Sequence, residues 1–506
     1  MSNILGISAG FHDAGLSVIS PDGDILFASH AERFSKKKHD ADMSTHMVNY
    51  AMQYGEIDTI AYYEKPWLKN LRMLRSGQGV ESPWTIRNVI HKHLPFHPKL
   101  VNNAKVKAYG HHLSHAAAGF QTSPYNDATV VVVDAIGEFD TVSIWNAWYD
   151  RNGQAQYKLR WRMQYPDSIG MFYSAMTKFV GLRPMDEEYI LMGMAAYGTK
   201  VAATLGRMTD QFLDLPTSKH EPFKFKENVH IGVGSEWIDR THITDFDIAA
   251  ATQEILEWQL QRIMLKSMQY RWSGNLVYMG GVALNCLANR DLGRYYQNVW
   301  IMPNPGDAGS SLGAAALAYG KKINWTNAFL GYNIEGEYPV KPIIDELILN
   351  KIVGVANGRA EFGPRALGNR SLLADPRGSD IKSKVNEIKR RQQFRPFAPV
   401  ILEEHVHNYF TMPPVFKSSP YMQTVAMCKK PDEYPAIIHA DGTSRVQTVP
   451  NDGSGIRKLL EAWKVYTGCP MLLNTSLNIR GEPMVNDVND AKRFEDLYKV
   501  KVCTSV

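Results

Sequence analysis

Short apolar runs separated by turn residues open the chain. Pro21, Asp22, Gly23 and Asp24 interrupt the apolar pattern in the way that turns do. Apolar and β-branched runs bounded by such turns predict strands. The sequence therefore predicts three strands near its start, at residues 4–8, 16–19 and 25–28.

The turn after the first of these strands holds the first candidate chemistry, because it contains His12 and Asp13. A strand, a polar glycine-bearing turn and a second strand resemble the start of the nucleotide-binding fold of actin, sugar kinases and Hsp70. That fold directs side chains from this turn into its cleft. Polar residues of these types also cap ordinary turns, so a structural and a functional interpretation both stand at this point.

Periodic stretches predict helices and buried strands in the middle of the chain. Methionine-rich amphipathic helices are expected at residues 168–182 and 186–198, where core packing accounts for the pattern. β-Branched residues predict a buried strand at 130–133, and a further strand is expected at 275–278. Residues 67–98 are expected to form a helical insertion.

The apolar pattern changes after Tyr319, where a turn-rich stretch begins. We place a domain boundary there and predict domains at residues 1–330 and 331–506. The second domain is of ordinary size. It mixes predicted strands and helices and is therefore of α/β class; the strands are at 352–355, 398–402, 446–449 and 470–474, and the helices at 381–391 and 455–464.

Composition narrows the function classes. The chain has 506 residues, is 44% hydrophobic and 21% charged, and has a formal net charge of +5. That charge is slight for the length and gives no argument for polymeric nucleic acid or an anionic membrane as a partner. The four cysteines include no CxxC pair, so we expect buried free thiols in a reducing compartment. With neither a signal-peptide pattern nor an apolar run of about 18 residues, a cytoplasmic location is expected.

Two histidines and two carboxylates form a candidate metal site. His111 and His115 are four residues apart, which places both rings on one face of a helix. Asp134 ends the β-branched run, and Asp307 lies in a glycine-rich loop before a helix of small residues. Two histidines plus carboxylates suit Fe(II), and zinc remains open by ligand type. The spacing alone also fits a polar helix start.

Residues 361–377, EFGPRALGNRSLLADPR, form a glycine- and proline-rich stretch that we call the arginine loop. It contains Arg365, Arg370 and Arg377 among apolar residues that pull it inward. A buried arginine without an anion costs several kcal/mol, on the order of the penalty for a broken buried ion pair. One such arginine fits a structural ion pair, whereas three together favour an oxyanion ligand such as a phosphate.

The same chemistry recurs downstream. Lys389 and Arg395 lie in KRRQQFRPFAP, Arg445 lies in SRVQTV, and NTSLNIRGEP contains three further polar candidates, Asn474, Ser476 and Asn478. Together with the arginine loop, these segments closely resemble the O-carbamoyltransferases of antibiotic and nodulation-factor biosynthesis. The resemblance covers nearly the whole chain. It implies an actin/Hsp70/sugar-kinase-like N-terminal domain and a YrdC-like, mixed α/β C-terminal domain.

The resemblance also implies a mechanism in two steps. In the C-terminal domain, carbamoyl phosphate and ATP with Mg²⁺ would give carbamoyl adenylate. Four cations would hold the anions, namely Arg365, Lys389, Arg395 and Arg445. Ser476 and Asn478 would hydrogen-bond the carbamoyl amide, and Asn474 would belong to the same binding site for carbamoyl phosphate and ATP. In the N-terminal domain, a hydroxyl of a small-molecule acceptor would then attack the carbamoyl carbon.

The family's residues for this second step map onto the N-terminal candidates. His111, His115, Asp134 and Asp307 match its iron ligands. His12, with Asp13 beside it, matches the block that carries the general base, and an imidazole with an unperturbed pKa near 6.5 suits that task. Ile190 stands where the family usually has a lysine, which puts a polar role at that position in doubt.

Other functions remain open from the residues alone. An actin-like kinase or ATPase would also accept the paired histidines and His12, but it needs no second anion pocket. A threonylcarbamoyl-type tRNA-modifying enzyme has a similar N-terminal half, yet the low net charge argues against tRNA. The acceptor is not encoded in any motif. A sugar, a polyketide, a nucleoside and a modified base are all compatible, and a homodimer is left open.

Overall fold

The computed structural model describes residues 2–80 and 82–505. The chain forms two compact units. One is the continuous unit, Thr59–Ile323, and the other is the split unit, which combines Met1–Asp58 with Asn324–Val506. Among the described residues, no helix has the length and apolar character needed to cross a membrane.

Strands and helices alternate along the chain, which confirms the predicted α/β class. The strands are β1 Asn3–Ser8, β2 Gly15–Ile19, β3 Ile25–His30, β4 Ile57–Tyr62, β5 Lys105–Ala108, β6 Asp127–Gly137, β7 Asp140–Tyr149, β8 Ala155–Gln164, β9 Leu213–Asp214, β10 Lys224–Phe225, β11 Asn275–Met279, β12 Asn298–Trp300, β13 Phe329–Ile334, β14 Ile352–Ala356, β15 Gly358–Glu361, β16 Arg370–Ala374, β17 Ala398–Leu402, β18 Phe410–Thr411, β19 Ala426–Cys428, β20 Thr443–Ser444, β21 Gln447–Val449, β22 Met471–Ser476 and β23 Val502–Cys503. The α-helices are α1 Ala31–Ser35, α2 Thr45–Met52, α3 Pro66–Arg75, α4 Ile86–His93, α5 Pro98–Asn103, α6 His111–Thr122, α7 Ile169–Phe179, α8 Glu188–Met194, α9 Val201–Phe212, α10 Asp245–Met268, α11 Cys286–Asn289, α12 Ser310–Tyr319, α13 Val340–Asn350, α14 Ile381–Ile388, α15 Val406–Tyr409, α16 Gly455–Thr467 and α17 Val488–Tyr498.

The continuous unit is organised around the sheet β12-β11-β6-β7-β8. Strands β6, β7 and β8 form an antiparallel meander, and β11 runs parallel to both β6 and β12. Val130 to Val133 of β6 are fully buried, as expected for a β-branched strand inside a sheet. Three antiparallel strands followed by parallel ones is the arrangement that the predicted actin-type domain requires.

The split unit contains two main sheets. Strands β1, β2 and β3 form the antiparallel set predicted from the first apolar runs. The C-terminal sheet has the order β21-β17-β22-β16-β14-β23, so β22 lies near its centre between β17 and β16. Both sides of β22 are therefore paired, which makes its carboxyl end a rigid support for side chains.

The first 58 residues join the C-terminal part of the chain through specific contacts. Arg33 donates from Nη2 to the Gly363 carbonyl at 3.1 Å, and Arg359 donates from Nη2 to the Leu26 carbonyl at 2.6 Å. The rings of Tyr50 and Tyr332 lie 4.8 Å apart. A sequence pattern read locally cannot anticipate such pairing. The division into domains at residues 1–330 and 331–506 stays a prediction.

Candidate functional site

The two histidines predicted as metal ligands lie together at the start of α6. Their Nε2 atoms are 3.1 Å apart, and both side chains are buried. Gly110 caps the helix and places His111 in its first turn, one turn before His115. Ser114, on the same helix, donates from Oγ to the Tyr63 carbonyl at 2.9 Å, which anchors the helix start beside the end of β4.

Asp134 and Asp307 complete a cluster of four buried side chains. The Asp134 Oδ2 atom lies 3.2 Å from His111 Nε2 and 3.1 Å from His115 Nε2. The Asp307 Oδ1 atom lies 3.4 Å and 3.3 Å from the same two nitrogens. Ligand atoms held about 2.0–2.2 Å from one metal ion are separated from one another by roughly 3–3.5 Å. The donor set and its spacing therefore fit a divalent transition metal.

Backbone geometry around β6 makes room for this cluster. The strand is irregular between Val133 and Gly137, where its register against β7 shifts. A Cβ on Gly137 would lie 2.2 Å from Cδ2 of His111, so a larger residue would displace the ring. Gly280, with φ +93°, passes so close to β6 that a Cβ would lie 2.2 Å from the Val133 carbonyl oxygen.

Asp134 is held in place by two amides. Its Oδ1 atom accepts hydrogen bonds from the Ala135 amide at 2.9 Å and the Gly281 amide at 3.2 Å. Gly281, the second glycine of the pair after β11, thus lies against this carboxylate. The other oxygen of Asp134, Oδ2, is the one directed to the histidines.

The charges of the cluster support one another. Burial opposes ionisation of Asp134, but hydrogen bonds from His111 and His115 outweigh it and hold the pKa of Asp134 well below its usual value. Burial likewise opposes a charged His111, but the Asp307 charge and the hydrogen bonds to Asp134 and Asp307 together outweigh it and raise the pKa of His111. The Nδ1 atoms of both rings are buried and have no hydrogen-bond partner within residues 2–80 and 82–505.

Glu64 is a residue of this site that sequence analysis missed. It lies just beyond β4, and its Oε2 atom is 4.0 Å from His111 Nδ1. Its Oε1 atom pairs with Lys69 Nζ at 2.7 Å, and both side chains are almost fully buried. A buried ion pair of this kind is rarely favourable by itself, so a role toward His111 is the natural explanation. No motif in the sequence marks Glu64.

His12 and Asp13 lie in the split unit, in the turn after β1. His12 Nδ1 is 2.9 Å from Asp13 Oδ2, and about a quarter of each side chain is exposed. Asp13 also has φ +50°, a conformation that residues other than glycine rarely adopt. Such a backbone is found where the surroundings impose it, often at functional sites.

Two of the three arginines in the arginine loop have structural partners. Arg370 belongs to β16, is completely buried, and donates to five backbone carbonyls. These are the carbonyls of Tyr332, Asn357, Gly358, Asn369 and Asn486, at 2.8–3.2 Å. Arg377 makes a two-point ion pair with Asp375 at 2.8 and 2.9 Å. The expectation that all three bind an oxyanion ligand is therefore wrong for these two, because groups of the protein itself occupy their donors.

Lys389 is also engaged by the protein. Its buried Nζ atom donates to the Ser476 and Asn478 carbonyls at 2.5 and 2.8 Å and to the Asn478 Oδ1 atom at 2.9 Å. Burial, with the nearby charges of Arg391 and Arg395, holds the pKa of Lys389 well below its usual value. In this arrangement Lys389 shapes the segment after β22. Its predicted contact with an anion stays a prediction.

Asn474 connects two of the predicted segments. Its Nδ2 atom donates to the Ala366 carbonyl at 3.0 Å and to Gln447 Oε1 at 2.7 Å. Ala366 follows Arg365, and Gln447 lies two residues after Arg445. The buried Oδ1 atom of Asn474 has no hydrogen-bond partner in the part of the chain that the structure describes. The loops that carry Arg365 and Arg445 therefore meet at β22.

Arg365, Arg395 and Arg445 are all partly exposed. The Nε atom of Arg445 is buried, and among residues 2–80 and 82–505 no group accepts its hydrogen bond. Arg395 donates to Gln392 Oε1 at 3.5 Å.

Ile190 is 1% exposed within α8, so core packing explains the residue at that position.

Comparison with known proteins gives a consistent result over most of the chain. Residues 3–316 match the family described as Carbamoyltransferase N-terminus, and residues 344–503 match Carbamoyltransferase C-terminus. An uncharacterized protein of Synechocystis is 32% identical over 97% of this chain and 94% of its own length. The nodulation protein NolNO of Sinorhizobium fredii is 29% identical over 97% of this chain and 77% of its own.

A relative with a named activity is also similar. The 3'-hydroxymethylcephem-O-carbamoyltransferase of Amycolatopsis lactamdurans is 26% identical over 95% of this chain and 94% of its own length. Among solved structures, HypF of T. kodakarensis is a partial likeness, with a TM-score of 0.34 and 12% identity over 63% of this chain and 48% of its own.

Proposed function

Because the chain belongs to the carbamoyltransferase family, we propose that it is an ATP-dependent O-carbamoyltransferase that acts through carbamoyl adenylate. One observation carries this proposal. Arg445 offers a guanidinium whose buried Nε lacks an acceptor among the described residues, and its loop meets that of Arg365 at Asn474. A guanidinium with a donor of this kind suits phosphate and carboxylate oxygens.

The first step would take place in the split unit. Water takes the phosphoryl group of carbamoyl phosphate, and the carbamate oxygen that remains attacks the α-phosphorus of ATP. The bond from that phosphorus to the β-phosphate oxygen breaks, and pyrophosphate leaves with the electron pair. Arg365, Arg395 and Arg445 would hold the anions, while Mg²⁺ would accompany ATP. Ser476 and Asn478, ordered by Lys389, would bind the carbamoyl amide.

In the second step, an acceptor hydroxyl attacks the carbamoyl carbon. The bond between that carbon and the phosphate oxygen breaks, AMP leaves with the electron pair, and His12 takes the hydroxyl proton. His111, His115, Asp134 and Asp307 would hold a divalent transition metal, proposed as Fe(II), which supplies Lewis-acid polarisation. Gly281 and Ala135 keep Asp134 oriented for that role through their amides.

Pyrophosphate release tests the first step. Purified protein with ATP and Mg²⁺ should release pyrophosphate only when carbamoyl phosphate is added. Arg445→Ala should lose this release while keeping its melting temperature, whereas Arg377→Ala should retain it because Arg377 is already paired. Release of phosphate and ADP without carbamoyl phosphate would instead identify a kinase or ATPase.

Transfer is tested separately from adenylate formation. His12→Ala should still release pyrophosphate but fail to carbamoylate an acceptor, with a loss of about 10²–10⁴-fold, the usual effect of removing a general base. A screen for mass gains of one carbamoyl group across sugars, nucleosides and polyketides would identify the acceptor. If His12→Ala stops pyrophosphate release, the assignment of His12 to the second step is wrong.

A further inference from the structure

One carboxylate lies between two imidazoles in the split unit. Asp13 Oδ2 is 2.9 Å from His12 Nδ1, and Asp13 Oδ1 is 2.8 Å from His39 Nδ1. Each oxygen therefore serves a different ring. His39 follows a run of three lysines and carries no sequence motif, which is why the pattern of the sequence does not reveal it.

The backbone holds this arrangement at a cost in conformational strain. Asp13 and His39 both have positive φ, 50° and 52°, although neither is glycine. Their loops are joined by backbone hydrogen bonds from the Gly10 amide to the Ala41 carbonyl at 2.9 Å and from the Ala14 amide to the Asp40 carbonyl at 2.7 Å. Two residues with strained backbones thus lie on loops that are hydrogen-bonded to each other, which indicates that the fold enforces the contact between Asp13 and His39.

Neighbouring charges reinforce the position of His39. Its amide donates to Glu32 Oε2 at 3.1 Å, and Glu32 is paired with Lys38 at 2.9 Å. Two further groups act on Glu32 through their charge: the Arg33 guanidinium, and His30, whose burial lowers its pKa to about 4 and keeps it neutral near pH 7. The Glu32 charge is thus already compensated, and Asp13 is the carboxylate that acts on the two rings.

The protonation pattern follows from these contacts. Burial disfavours the charged form of Asp13, but hydrogen bonds from His12 and His39 outweigh it and keep its pKa well below the usual value. An ionised carboxylate only accepts hydrogen bonds, so Nδ1 of each imidazole must donate. In a neutral imidazole the proton on Nδ1 leaves Nε2 as the basic nitrogen.

We propose that His39 is a positioning residue for carbamoyl transfer, acting through Asp13 to keep His12 in the form with its proton on Nδ1. This rests on the proposed function, in which His12 Nε2 takes the proton of the acceptor hydroxyl. Asp13 remains ionised throughout and gains no proton. By donating to Asp13, His39 also shares its negative charge, which sets the pH at which His12 becomes basic.

Amide substitutions provide matched tests of this role. In His39→Asn the side-chain amide takes the place of Nδ1 and can still donate to Asp13. His39→Gln places its amide nearer the position of Nε2, and His39→Ala has no donor. His12 reactivity toward diethyl pyrocarbonate, followed against pH by peptide mass spectrometry, reports its titration without requiring enzyme activity. Melting temperatures and pyrophosphate release identify variants that are folded and complete the first step.

The expected result separates the variants into two groups. His39→Asn should keep the wild-type reactivity midpoint. His39→Gln and His39→Ala should move it to higher pH, because Asp13 then acts on His12 alone. Transfer in these two should fall on the order of 10–100-fold, the scale for losing a partner that orients an imidazole, with pyrophosphate release unchanged. If His39→Ala is not folded, the Asn and Gln variants still decide the comparison.

Three outcomes would overturn the proposal. One is equal midpoints in His39→Asn and His39→Gln, and another is wild-type transfer in His39→Gln. The third is loss of a metal equivalent in His39→Ala, which would make Asp13, Glu32 and His39 a second metal site. If wild-type protein releases no pyrophosphate, the proposed function fails, while the reactivity midpoints still decide how His39 acts on His12.

Discussion

The four-residue cluster in the continuous unit and the arginine loop in the split unit treat buried charge in opposite ways. His111, His115, Asp134 and Asp307 direct their donor atoms at one another, within 3.1–3.4 Å for each histidine–aspartate pair. Arg370, in contrast, directs its whole guanidinium at carbonyls of the backbone. Converging donor atoms mark a place for a ligand, whereas a saturated charge marks a structural support.

The largest expected effect concerns the cluster. The double variant His111→Ala/His115→Ala should lose bound divalent metal and carbamoyl transfer together, because two of the four proposed ligands are gone. Anaerobic metal analysis of purified protein is the measurement, and pyrophosphate release should persist. Metal content equal to that of the wild type would show that the cluster is not a metal site.

Replacement of Arg370 should affect folding more than chemistry. Arg370→Met removes the donors for five backbone carbonyls and one of two cations beside the buried Glu361, the other being Arg33, which should lower the free energy of unfolding by about 3–5 kcal/mol. Denaturant unfolding of the full chain measures this. If Arg370→Met is as stable as the wild type and has lost only pyrophosphate release, Arg370 binds an anionic substrate after all.

Arg365 should show the reverse behaviour. Arg365→Ala is expected to cost about 2–4 kcal/mol of transition-state stabilisation in adenylate formation, with little change in stability. Arg377→Ala is the matched control on the same loop, since its partner Asp375 already holds it. Single-turnover pyrophosphate release compares them, and equal rates would remove the distinction between the two arginines.

The smallest effect on metal binding is expected for Glu64, which lies beside the four proposed metal ligands and is not one of them. Glu64→Gln should weaken metal affinity by roughly 10–100-fold, the scale for losing a carboxylate beside a metal ligand, because Glu64 Oε2 lies 4.0 Å from Nδ1 of His111, a proposed ligand. Lys69→Met combined with Glu64→Gln controls for the loss of the ion pair between Glu64 and Lys69 in the single change. Metal titration by competition with a chelator measures the affinity. Unchanged affinity in both variants would limit Glu64 to pairing with Lys69.

Local patterns predicted the elements well and the partners of charged residues poorly. The expected strands at 4–8 and 398–402 appear as Asn3–Ser8 and Ala398–Leu402, because apolar periodicity depends on neighbours in sequence. His111 and His115 converge because helix geometry fixes the positions four residues apart.

Long-range pairing explains what the sequence could not predict. The fate of Arg370 depends on carbonyls of Tyr332 and Asn486, which are distant in sequence. The contact of His39 with Asp13 likewise depends on two strained loops being joined. Neither contact has a signature in the local sequence. The number of arginines in the arginine loop therefore predicted too many anion-binding residues, and the position of His39 after three lysines gave no sign of its contact with Asp13.

The split unit has a consequence for how the protein is made. Residues 1–58 are synthesised early, yet their partners Gly363 and Arg359 follow only after the whole of Thr59–Ile323. At the usual pace of synthesis this separation lasts on the order of tens of seconds, during which strands β1 to β3 lack part of their packing. We expect early chains to depend on a chaperone, and a C-terminal fragment that begins near residue 330 to be poorly folded unless residues 1–58 are supplied with it.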